Sequence, residues 1–72
     1  MNLERDIELM RANKPEVIRH VKKNGLESLS LFCATCGVSL LAAHVYVSED
    51  FPEYREECER KLRILKDFYG YK

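Results

Sequence analysis

The sequence predicts an all-α domain of four to five short helices around one core, with a tight helix-to-helix turn at its centre. Three observations carry that expectation. Apolar residues recur at spacings of three and four along most of the chain, as one face of a helix requires. Asn13-Lys14-Pro15, Asn24-Gly25, Gly37 and Asp50-Phe51-Pro52 punctuate those segments with stop and start signals. Only His44 to Val47 looks strand-like, and that alternation is too short to make a strand.

The elements follow in order. Asn2 to Ala12 carries Leu3, Ile7 and Met10 with Leu9 alongside, an apolar stripe on an otherwise charged and therefore outer helix. Asn13 is a candidate cap, with Pro15 in the first turn and Glu16 three residues on, as in a capping box. The next helix, Pro15 to Lys23, buries Val17, Ile18 and Val21 and ends at Gly25 in a left-handed conformation. Ser28 opens a third helix with Leu29, Leu31, Phe32, Cys33 and Cys36, which Gly37 ends. Ser39 caps a fourth, Leu40 to Val47. Asp50, Pro52 and Glu53 repeat the start signal before a last helix, 52–69. That helix carries Tyr54, Cys58, Leu62, Leu65 and Phe68 as its inward stripe. Its Glu56–Arg60 and Glu59–Arg63 pairs form a self-neutralising outer face. Tyr69-Gly70-Tyr71 reads as a terminus with Tyr69 partly packed.

The chain is one domain of 72 residues. A chain this short buries only about 60% of the surface its unfolded form exposes, so it depends on one tight core, a staple or a partner. Twelve basic and twelve acidic residues cancel. Zero net charge argues against nucleic-acid binding by bulk charge alone and for self-association into a homo-oligomer. No phosphate loop, dinucleotide fingerprint, catalytic triad or paired catalytic carboxylates is present, so an enzyme is not expected, and no cofactor.

Three cysteines, Cys33, Cys36 and Cys58, are an odd number, and the N-terminus is unlike a signal peptide. Reduced thiols and a cytoplasmic location are expected. Cys33 and Cys36, with Cys58 and His44 or His20, are the donor set of a zinc site. Set in an apolar helix, both read instead as buried, metal-free core residues. Ser28 to Ser48 contains no Asp, Glu, Lys or Arg and is long enough to cross a bilayer. Its serines, threonine, histidine and central Gly37 make it two buried helices in succession, and no membrane is expected.

The stretch 28–47 is a cap, a helix, Gly37, Val38, Ser39 and a second short helix: a helix-turn-helix layout. Gly25 to Ser39, the short helix after it, and Ser48-Glu-Asp-Phe-Pro-Glu-Tyr-Arg-Glu56 resemble the DNA-binding domain of phage small terminase subunits and related phage or transposon modules. The shared pattern is Ser-Leu, a core-facing Cys, Gly-Val-Ser, an aromatic-ended second helix and an acidic, proline-containing entry to a long helix. The resemblance spans about residues 15–60. It implies double-stranded DNA binding in packaging or transcription control, with the second helix reading the major groove.

On that reading Ser39, Leu40, Leu41 and His44 meet DNA, and Arg19, Lys22 and Lys23 meet its backbone. The second helix departs from the pattern. Only Ser39 and His44 are polar on its expected reading face, and base edges demand donors and acceptors. An apolar helix packs on a surface more readily than it reads a groove. The alternative is therefore a protein-interaction module on the same frame, a dimeric adaptor or an inhibitor of a host or phage protein. In either case Val38, Leu41 and Val45 are expected to face inward, and Leu40, Ala43, His44 and Val47 outward.

Overall fold

The computed structural model describes residues 3–69. Among them are five α-helices and no strand: α1 (Leu3–Ala12), α2 (Lys14–Asn24), α3 (Leu29–Cys36), α4 (Leu40–Asp50) and α5 (Arg55–Tyr69). Short 3-10 turns at Leu26–Ser28 and Pro52–Tyr54 lead into α3 and α5. The expected start at Asn2, and Gly70-Tyr71 with the Tyr69 side chain, lie outside the described residues. No described helix is long and apolar enough to cross a membrane.

The turn between α3 and α4 is as the sequence requires. Gly37 adopts φ +74°, and the Gly37 and Val38 amides both donate to the Cys33 carbonyl, at 2.8 and 3.3 Å. This closes α3 with a left-handed residue and drops Val38 into the core. Ser39 then caps α4, its hydroxyl accepting the Ala42 amide at 3.1 Å. The other expected caps are not made. The Asn13 side chain donates back to the Leu9 carbonyl at 2.8 Å. The Ser28 hydroxyl donates to the Gly25 carbonyl at 2.7 Å, inside the 3-10 turn. Gly25 has positive φ but an extended ψ of 171°, so it redirects the chain and does not wind it left-handed. Asp50 is the last residue of α4, which runs one turn beyond Val47, and a salt bridge of 3.9 Å joins it to Lys14.

Helix α4 is the centre of the molecule. It packs most extensively on α5, next on α1, and also on α3. Leu41, Ala42, Ala43, His44, Tyr46 and Val47 are all buried, so no single face of α4 is the inner one. This corrects the outward placement of Ala43, His44 and Val47. A helix flanked on several sides must be apolar all round, and the paired alanines let its neighbours approach closely. Around it lie Met10 of α1, Val17 and Val21 of α2, Leu26, Leu29 and Cys33 of the α3 region, Val38, Phe51 and Cys58. The Phe51 ring meets Tyr46 edge-on, centroids 5.7 Å apart.

Among the described residues, Asp6 is the one buried carboxylate. Its Oδ2 accepts the Ser39 amide at 3.0 Å, and its Oδ1 meets Arg5 at 3.1 Å. In a capping box the third helical residue supplies a Glu or Gln that reaches back to the cap's own N–H. Here that position is Ala42, which cannot, and α1 supplies the missing acceptor. Helix α4 is thus capped by its own Ser39 and by Asp6 from across the fold.

Three further expectations change. Cys36 is exposed while Cys33 is buried, because α3 turns its last residue away from α4. Phe68 is exposed, and so is Ile64. By helix rise, α5 with 15 residues is about 22 Å long and α4 with 11 about 16 Å. The end of α5 therefore overruns the helix it packs on. Neither Glu56–Arg60 nor Glu59–Arg63 closes as an ion pair, whereas Arg11–Glu8 and Arg19–Glu16 do.

Gly37→Val is expected to destabilise the fold by more than about 1 kcal/mol in urea unfolding. A Cβ at this position meets nothing within 4 Å, so the loss is backbone strain alone, and Gly37→Asn should lose less. The second prediction concerns Asp6. The Ser39 amide, helped by Arg5 and opposed by burial, holds its carboxyl below the usual aspartate range. A depressed carboxyl stabilises the fold above the unfolded pKa, near 4, and stops doing so as pH falls through the folded one. Asp6→Asn should therefore be about 1 kcal/mol less stable at pH 7, and the gap to wild type should narrow as pH falls below about 4.

Candidate functional site

The residues expected to meet DNA fall into two sets on different flanks of α3. Ser39 is half-buried and used at both ends, its amide by Asp6 and its hydroxyl by Ala42. Leu40 is half-buried, and Leu41 is core. His44 is 3% exposed. Its Nδ1 lies 2.9 Å from the Leu40 carbonyl, an acceptor, so Nδ1 carries the proton. Its Nε2 is buried with no hydrogen-bond partner. Burial holds His44 below the ordinary histidine range; Lys61 adds to the effect, and the Leu40 carbonyl and Glu57 oppose it.

Arg19, Lys22 and Lys23 are exposed on α2. Arg19 is held by Glu16 at 3.0 Å. Arg19 and Lys23 border a groove of about 350 Å3 between α2 and α3 that also contains Leu31, 67% exposed, and Thr35. His20, at the edge of this cluster, is a structural residue. Its Nε2 lies 3.0 Å from the Ser28 carbonyl and its ring packs on Phe32, centroids 5.4 Å apart. It ties α2 to the start of α3.

The other flank of α3 has a more apolar groove of about 280 Å3, formed with α4 and α5. Leu26, Leu40, Ile64 and Leu65 line it, with the polar Glu27, Ser30, Lys61 and His44. Ile64 is 70% exposed, and Phe68, one turn further along α5, is 81% exposed. Sequence reading placed Leu40 and His44 on an outward face but did not connect them to α5. The signal was present: Glu57, Lys61, Ile64 and Phe68 repeat at four, three and four beside the core stripe of Cys58, Leu62 and Leu65.

The thiols do not converge. Cys33 and Cys58 are buried and Cys36 is exposed. Among the described residues, no group of three or more His, Cys, Asp and Glu could hold a metal ion. Burial pushes the Cys33 thiol up to about 11, with Cys36 and Asp6 adding to it. Burial, with Glu57, does the same to Cys58, also to about 11. A buried, protonated thiol is a poor nucleophile. In native protein an aromatic disulfide reagent should titrate Cys36 fast, and Cys33 and Cys58 only at the rate of unfolding. Equal reactivity of all three would contradict this packing. No protein-family model, curated protein or solved structure significantly matches this chain.

Proposed function

We propose that this protein is a small helical interaction module that takes an apolar segment of a partner protein into the groove between α3, α4 and α5. One observation carries the reading: Ile64 stands exposed on α5 in a groove that it lines with Leu26, Leu40 and Leu65. Apolar side chains that meet in an open groove mark a contact surface. The frame fits the role, since α4 carries one wall of the groove and packs against α5, which carries another. Three free thiols, one of them exposed, fit a reducing, cytoplasmic setting.

The DNA-binding reading keeps two supports, the Gly37-Val38-Ser39 turn and the exposed Arg19, Lys22 and Lys23. Against it stands α4. A recognition helix must present side chains to base edges, and in this chain that helix is enclosed by α1, α3 and α5. Basic side chains on α2 alone would hold phosphates without reading sequence.

The test compares Ile64→Asp with Leu31→Asp, an equally exposed change on the other flank. Both should melt within a degree or two of wild type, since surface changes rarely alter stability by more than about 0.5 kcal/mol. Ile64→Asp should abolish retention of a specific partner, or shift the chain to monomer in sedimentation if the partner is a second copy. Leu31→Asp should do neither. Salt-sensitive binding to duplex DNA that Arg19→Ala and Lys23→Ala abolish and Ile64→Asp spares would overturn the proposal in favour of DNA.

A further inference from the structure

Helix α5 is charged in two blocks. Glu56, Glu57 and Glu59 come first, then Arg60, Lys61 and Arg63. None of the six closes an ion pair among the described residues, although Glu56–Arg60 and Glu59–Arg63 are spaced for it. Resting on the interaction-module reading, we propose that the partner is a second copy of this chain, and that the two α5 helices pair antiparallel across a two-fold axis with Ile64 at the seam. Reversal sets the acidic block of each helix against the basic block of the other.

The register follows from the spacing of one stripe. Tyr54, Glu57, Lys61 and Ile64 recur at three, four and three, the seam spacing of paired helices. Ile64 is 70% exposed, and Tyr54, Glu57 and Lys61 are half-buried. With the axis level with Glu59, Glu57 of each copy lies opposite Lys61 of the other, and Tyr54 opposite Ile64. One register therefore answers all four positions. A two-fold interface is the same patch used twice, so it needs this self-complementarity. A parallel pair would set Glu57 on Glu57 and Lys61 on Lys61. Polar residues within a seam fix orientation and register more than they add affinity. The apolar contact comes from Ile64 and Leu65, which share their groove with Leu26 and Leu40. Zero net charge leaves little long-range repulsion between copies.

The test is sedimentation equilibrium of the whole chain up to millimolar concentration, with Glu57→Lys, Lys61→Glu and Ile64→Asp, each checked for fold by its melting curve. Wild type should be a dimer. Each charge reversal alone should raise the dimer dissociation constant about a hundredfold, since symmetry sets two like-charge contacts in one interface. An equimolar mixture of Glu57→Lys with Lys61→Glu should dimerise again, because both seam pairs are then of opposite sign. Ile64→Asp, at an exposed position, should be monomeric with its fold intact. Single reversals that stay dimeric, or a mixture that stays monomeric, would overturn the antiparallel pairing, and a monomeric Ile64→Asp would still leave the groove as the interface. A monomeric wild type would overturn self-pairing, and loss of a different retained partner on Ile64→Asp would leave the module reading standing. A dimer that Ile64→Asp leaves intact, with no retained partner lost, would overturn both.

Discussion

Helix α4 has no side that water can hold. From Leu40 to Ser48 it carries no Asp, Glu, Lys or Arg, so wherever it is left uncovered it exposes apolar surface. The fold is the solution to that constraint. Helices α1, α3 and α5 pack around α4, and α2 closes the core from outside through Val17 and Val21. The charge-rich helices lie at the surface because the interior is already taken. In a chain of this size one interior helix is a large share of the core, and its burial is the dominant favourable contribution.

Burying a helix also buries its ends, whose unpaired amides and carbonyls must find partners. Both ends are provided for. At the start, Ser39 accepts the Ala42 amide, and Asp6 reaches in from α1 to accept the Ser39 amide. A carboxylate there also meets the positive end of the helix dipole. At the finish, the Phe51 amide donates to the Val47 carbonyl, and Arg55 Nε donates to the Ser48 carbonyl at 2.9 Å. The interior helix is thereby tied at one end to the first helix of the chain and at the other to the last. Two buried polar atoms of its side chains, His44 Nε2 and the Tyr46 hydroxyl, make no hydrogen bond within the described residues.

The turn chemistry was legible in advance because it is local. Gly37 needs positive φ, Val38 must be apolar and Ser39 must cap, and all three follow from neighbours in sequence. Helix positions were legible for the same reason. The inner face of α4 was not. A stripe argument assumes one buried face, and Val38, Leu41 and Val45 satisfied it; nothing in those residues says that Ala43, His44 and Val47 are enclosed by a second neighbour. In the sequence Asp6 is one more charge on an amphipathic helix, although it lies on the same side as Leu3 and Met10. Its partner is 33 residues away, and such a pairing exists only in the fold. Phe68 continued the stripe of α5 in sequence, but α4 ends before reaching it. The groove joins α3, α4 and α5, so its existence depends on packing that periodicity does not encode.

The interior position of α4 separates an interaction module from a DNA reader that borrows the same turn. Amide hydrogen exchange measures it residue by residue. If α4 is enclosed, the Ala43, Tyr46 and Val47 amides exchange only through global unfolding, with protection equal to the free energy found by denaturant and above that of any amide in α2. Exchange of those amides through a low-energy local opening, as fast as in the exposed helices, would make α4 a surface helix and contradict its enclosure by α1, α3 and α5.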